Sequence, residues 1–450
     1  MASVGGRTDE ATARYEQAIA LFEAEGRTHP AARVSARLGE VEQQKGQLDQ
    51  AIERMEAAFA VLAIETPDPD LASLAAELGR LLFFAGRSEA ALEPLEVALD
   101  LAEAFWLPEV LSQALNTKGL FVMAKGRRRE AQGLIKYALE VALENGASAA
   151  AVRAYYNLAE IVAHGDRYEE ARAYAADGLA FARRVGNRLW EWNFLSQVYP
   201  LFCLGQWDEA MALMAELPKE NFSQVRIAFI GFAHVVPAIS VHRGDLDEAR
   251  KALELVAELG TSSDIQDLSC FAVGRARLLR AEGRHAEALA ASEEALHGRG
   301  ALSLGHEAIK EAFSEAVDAG FALGDLDKVT ELLAIVEEVP PGKRPPLMEA
   351  QAIRTHARLA SGRGDGSRAE ARFKEATRLF RELSASFWLA VTLLEHGEWL
   401  MQQDRPPEEA EPLLLEAREI FERLEAQPWL DRIGRVAPVA YETVGAGPDA

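Results

Sequence analysis

The string GQLDQA at residues 46–51 decides how this chain reads, because it returns along almost its whole length. It comes back as GRSEAA at 86–91, GRRREA at 126–131, GQWDEA at 205–210 and GDLDEA at 244–249. GRHAEA at 283–288, GDLDKV at 324–329 and GDGSRA at 364–369 continue the series, and DRYEEA at 166–171 and RPPEEA at 405–410 are copies without the glycine. The last residue of each copy makes a ladder: Ala11, Ala51, Ala91, Ala131, Ala171, Ala210, Ala249, Ala288, Val329, Ala369 and Ala410, with gaps of 39 to 41 residues. A second ladder runs seven residues later through Ala18, Ala58, Ala98, Ala138, Gly178, Leu217, Val256, Ala295, Val336, Ala376 and Ala417. Seven residues are about two helical turns, so both rungs share one helix face.

The physics of the unit follows from its residues. The glycine ends one helix in the left-handed region that other residues resist. The next helix starts within a few residues, often with an acid such as Asp49, Glu89 or Asp247 in its first turn, where the helix dipole favours it. The small ladder residue lets two helices approach, and larger residues four positions on (Met55, Leu95, Ile135, Met214, Leu253, Leu333, Phe373, Leu414) fill the space between them. One such hairpin cannot bury its own apolar face, so neighbours must stack. Composition agrees: Ala, Leu, Glu and Arg dominate and strand-like alternation is missing, so an all-α chain is expected.

The pattern Gly-x-[Tyr/Trp/Leu]-x-x-Ala, with Leu38-Gly39, Leu78-Gly79 and Leu158-Ala159 in the first helices, resembles the tetratricopeptide repeat (TPR). That resemblance implies an α-solenoid, a right-handed superhelix of about ten TPR-like helical hairpins. The period here, near 40 residues, is longer than the family's usual one and implies helices extended by about a turn and a half in total. Longer units of this kind resemble the C-terminal arms of bacterial multidomain signalling proteins, which join a nucleotide cyclase or LuxR-type helix-turn-helix module to an ATPase. The run SFWLA at 386–390 through EHGEWL at 395–400, followed by EPLL at 411–414 and AREIF at 417–421, is similar to the end of such arms.

The 450 residues carry 48 Lys plus Arg against 71 Asp plus Glu, a net charge of −23. That balance argues against nucleic acid as a partner, since phosphate binding needs clustered cations. The two cysteines, Cys203 and Cys270, offer no disulfide framework and fit a reducing cytoplasm. The first ten residues, MASVGGRTDE, show no signal peptide, and no apolar run of about 18 residues predicts a membrane span.

The expected organisation is one array over residues 1–436: a lone helix at 8–25, ten hairpins over about 30–425 and a capping helix at 428–436, then a flexible tail at 437–450. Two readings of the lone helix stand side by side. It is either a cap on the apolar end of the array or the remnant of a larger protein whose arm this once was. The stretch PPGKRPP at 340–346 is the clearest internal loop, either a plain connection or a hinge for the last repeats.

Chemistry is sparse. G-x-x-x-x-G-K-[ST] and His-Glu-x-x-His do not occur, and the glycine-rich run at 362–366 falls at a repeat turn. The cysteines sit in different repeats and read as small core residues, so no catalytic residue, cofactor or metal is expected. By the resemblance, first helices line a concave groove. Its register selects Arg153, Tyr156 and Asn157 with Glu160, then Trp192, Tyr199 and Phe202 with Leu195, then His234 and His242 with Ala238. Arg277 and Arg280 with Val273, Ser314, Asp318 and Phe321, and Arg354 and Arg358 complete the set. Such a groove would take a protein or peptide partner, acidic or extended, or a small anionic effector, because arginine pairs with carboxylate and phosphate. The alternative is that its aromatic residues are core between repeats. The function expected is a non-catalytic protein–protein interaction or ligand-sensing module in bacterial signal transduction or transcriptional regulation. A passive assembly scaffold is the alternative.

Overall fold

The computed structural model describes residues 2–45, 47–64, 66–218, 229–403 and 405–436, with side chains from residue 9 onward except residue 44. Among the described residues every regular element is a helix. No helix there is long and apolar enough to cross a membrane. Gly46 and the expected tail at 437–450 lie outside the described residues.

The chain divides into two compact units, Met1–Ile161 and Val162–Ala450. In the first, the helix Ala2–Ala24 packs on the hairpin Thr28–Gln44/Leu48–Leu62. The hairpins Pro69–Phe84/Leu92–Ala104 and Pro108–Ala124/Arg128–Glu144 follow, and then the helix Ser148–His164, whose last turn passes into the second unit. Both ladders lie in the core: Ala51, Ala91 and Ala131 are 0% exposed, and Ala98 and Ala138 beside them are equally buried. The glycine of each Leu-Gly pair makes room for the large residue of its partner helix. A Cβ on Gly79 would stand 2.7 Å from Leu95 Cγ, inside any real contact distance.

The second unit keeps the period and distorts it. Tyr168–Val185 packs on Arg188–Leu195 and Tyr199–Leu204, two short helices where one regular helix would stand, with Pro200 at the start of the second. Proline has no amide hydrogen to continue a helix through it but suits the first turn of a new one. Trp207–Ala215, Ile230–Arg243/Leu246–Leu255 and Ile265–Ala281/His285–Leu296 come next. Glu307–Leu323/Leu326–Glu337, Pro346–Gly362/Gly366–Glu382, Ser386–Gln402/Pro407–Leu424 and a final helix Gln427–Val436 complete the unit. In the copies beginning Gly-Asp, the aspartate caps the next helix: Asp245, Asp325 and Asp365 accept from the amides of Glu248, Lys328 and Arg368. The loop at 340–346 is tied down by Arg344, which donates to the carbonyls of Val339 and Glu337 and pairs with Glu349.

Candidate partner-binding face

The first helices of the second unit carry a ladder of ion pairs. Arg277, on Ile265–Ala281, reaches Glu311 and Glu315 of Glu307–Leu323, each at 2.6 Å. Arg280 joins Glu315 at 2.6 Å. Asp318 receives Arg354 of Pro346–Gly362 at 3.2 Å, and Arg358 as well. Arg354 then reaches Glu395 of Ser386–Gln402 at 2.6 Å. Every cation therefore meets carboxylates 34 to 41 residues away, on the equivalent helix of the next or preceding repeat. Burial opposes the charged form of each carboxylate. The arginines overcome it and hold Glu315, Asp318 and Glu395 below their ordinary range.

The same face is closed from the other side by residues far along the chain. Tyr199 donates to Glu311 at 2.9 Å. Lys310 reaches Asp166 at 2.5 Å and donates to the carbonyl of Ala163 at 3.1 Å. Asp166 also accepts from the Leu347 amide, 181 residues away. Ser386 donates to the carbonyl of Leu204, and Arg243 to that of Leu424. Aromatic rings fill the space between: Phe202 stacks on Trp207 at 5.8 Å, and His242 lies 4.1 Å from Phe387 and 5.9 Å from Trp429. Burial, with Arg277 and Arg280 nearby, pushes the His242 pKa well down.

The expected open groove is thus corrected for this unit. Tyr199, Phe202, His234, His242, Arg277 and Arg354 are all buried. Arg280 and Arg358 are about one-fifth exposed and ion-paired. These eight side chains are brought together, as core. Sequence register placed them on the inward face, but nothing local shows that residues 163–243 and 306–429 meet across it. Trp192 is half-buried beneath Arg188, whose guanidinium lies 5.9 Å from its ring. Lys310, Glu311, Glu315 and Glu395 were missed. For the three glutamates the signal is an acid on the first helix one repeat from each inward arginine; for Lys310, paired with Asp166, there is none.

The first unit differs. Its inward register repeats every 40 residues: Arg33, Ser73, Gln113, Arg153; then Arg37, Glu77, Thr117, Asn157; then Glu40, Arg80, Leu120, Glu160. At one end a cavity of about 270 Å³ is lined by Tyr15, Arg33, Arg37, Glu40, Asp70 and Ser73 among others. Arg33 pairs with Asp68, and Arg37 with Glu40 at 2.9 Å. Arg80 holds Glu77 in a two-point pair. Arg153, Tyr156 and Asn157 are half-buried on the same register. Nη1 of Arg153 is buried without a hydrogen-bond partner, as is Nη1 of Arg277, but Arg277 has two carboxylates at 2.6 Å on its other nitrogens. Burial first, and then the positive charge of Arg80, lower the Arg153 pKa.

The tetratricopeptide-repeat model matches residues 31–104. No curated protein matches the chain at a significant level. Among solved structures, the chain is similar to BtubC (BKLC) from P. vanneervenii, at 18% identity over 50% of this chain and 92% of that one, with a TM-score of 0.39. It is also similar to a human IFIT1 dimer with PPP-AAAA, at 15% identity over 91% of both chains and a TM-score of 0.47. A Rap protein complexed with competence and sporulation factor matches at 12% identity over 89% of this chain and 99% of that one, with a TM-score of 0.41.

Proposed function

We propose that this chain is a non-catalytic protein–protein interaction arm. In this reading its inward face within Met1–Ile161 receives a partner bearing an anionic group, and its second unit is a self-filled block. The observation that carries the reading is Arg153. Each inward arginine of the second unit has a carboxylate within 3.2 Å or closer, whereas Arg153 has no ion pair among the described residues and its Nη1 is buried without an acceptor. An unsatisfied buried donor of a charged group is costly, and a carboxylate or phosphate from a partner would relieve that cost with a charge-assisted hydrogen bond. The resemblance to the arms of bacterial signalling proteins supports a reading in which such binding serves signal transduction or transcriptional regulation. A passive scaffold would use the same face without responding to a small effector.

The test is fluorescence polarisation of the full chain against a library of acidic and C-terminal-carboxylate peptides. A lost hydrogen bond to a charged group is worth about 1.5–3 kcal/mol, roughly a ten- to hundredfold change in affinity. Arg153→Gln should weaken the best binder by that factor. Arg381→Glu, an exposed change in the second unit, should leave it unaltered. Equal affinity for wild type and Arg153→Gln would end the proposal.

A further inference from the structure

We propose that His234, Cys270 and Glu307, in the second unit, form a binding site for one divalent transition-metal ion, zinc foremost. They come from three first helices in succession, Ile230–Arg243, Ile265–Ala281 and the first residue of Glu307–Leu323. One ligand atom of each, the imidazole nitrogen, the thiol sulfur and a carboxylate oxygen, all lie within 4.8 Å of one another. His234 Nε2 already stands 2.9 Å from Glu307 Oε1. No sequence motif announces the set, because the ligands are 36 and 37 residues apart and the repeat itself brings them together.

The helices are held close enough for this by Gly274, one turn beyond Cys270. A Cβ there would stand 1.8 Å from the carbonyl oxygen of Ala233, the residue before His234. Side-chain torsions then have little to do. Zinc bonds of about 2.0–2.3 Å in tetrahedral geometry put ligand atoms about 3.3–3.6 Å apart, so the widest pair must close by about 1 Å. Charge supports a metal as well. A dication with one thiolate, one carboxylate and a neutral imidazole is electrically neutral, which suits a site where His234 and Cys270 are 2% and 0% exposed. The mixed sulfur, nitrogen and oxygen set favours zinc over magnesium or calcium, which take oxygen ligands. The Glu307 side chain, 21% exposed, gives the ion a way in and leaves the fourth position to water.

Cobalt(II) is the probe. The full chain, stripped with a chelator, is titrated with Co²⁺ and followed by absorption. The expected result is one equivalent bound, with a thiolate-to-cobalt charge-transfer band that zinc removes stoichiometrically. Cys270→Ser should abolish the band and Glu307→Gln should weaken binding at least tenfold, with circular dichroism checking that each variant is folded. A wild-type chain that binds no cobalt, or a band that survives Cys270→Ser, overturns the site and leaves a plain His234–Glu307 hydrogen bond. Should Cys270→Ser fail to fold, Glu307→Gln decides: unchanged cobalt affinity also overturns it. The outcome is independent of whether Arg153 binds a partner.

Discussion

Replacing Lys310 by Met should destabilise the second unit more than almost any other single change of similar volume. Lys310 is 1% exposed, with its Nζ 2.5 Å from Asp166 and its charge 5.7 and 5.9 Å from the ring centroids of Tyr168 and Tyr199. Without it, the buried Asp166 carboxylate keeps only the Tyr168 hydroxyl and the Leu347 amide, both at 2.8 Å, as donors. Breaking a buried pair by removing one partner costs about 3–5 kcal/mol, because a charge is left uncompensated. With a urea dependence of about 3 kcal/mol per molar, the midpoint should fall by about 1–1.7 M. Tryptophan fluorescence is the right probe, since six of the seven tryptophans (all but Trp106) lie in this unit. Asp166→Asn completes a cycle at little conformational cost, because Asp166 sits at φ +60°, a region asparagine tolerates. The double variant, with both charges gone, should recover about 2–3 kcal/mol relative to the sum of the singles. A Lys310→Met protein within about 0.5 kcal/mol of wild type, or an additive cycle, would refute the claim that this pair holds the inner face shut.

Three further outcomes follow. Gly274→Ala should cost about 3 kcal/mol or more, or prevent folding, because its Cβ meets backbone rather than a movable side chain. Gly133→Ala, at an exposed helical position with nothing within 4 Å, should instead stabilise by about 0.5–1 kcal/mol, and urea melts of the two separate the cases. Stability should also fall steadily below neutral pH. Burial lowers the pKa of His396 to about 4 and that of His242 well below normal, so between about 6.5 and those values the unfolded chain binds protons that the folded one refuses. Glu315, Asp318 and Glu395 are depressed, so their contribution is complete above about 4.3 and is lost as the pH falls further. A urea midpoint that does not change between pH 7 and pH 5 would contradict the histidine part.

The period and the turns were legible because they are local. Ala51 packs where the ladder puts it, and Gly86 and Gly126 take φ +77° and +80° at the turns. The register of the first helices was legible too, since Arg277, Arg354 and His242 do face inward. Their environment was not. A repeat pattern reports which residues meet the next repeat, and Lys310 finds Asp166 from 144 residues away. Buried arginines look solvated in a sequence until the carboxylate of the neighbouring repeat is aligned with them, as Glu311 and Glu315 are with Arg277. The split at Pro200 was likewise hidden, because the ladder residues on either side kept their spacing.

The inward face of the second unit is filled by its own side chains. The chain's two thiols, Cys203 and Cys270, both lie in that unit and are 2% and 0% exposed. Burial, with the Glu311 carboxylate of the closed face nearby, pushes the Cys203 thiol pKa up. Thiol titration of the metal-free native chain with a disulfide reagent measures closure directly. No thiol should react fast in buffer, two should in strong denaturant, and the Cys203 rate should rise in Lys310→Met. A Cys203 that reacts in the native wild-type chain as fast as a free thiol would contradict that closure.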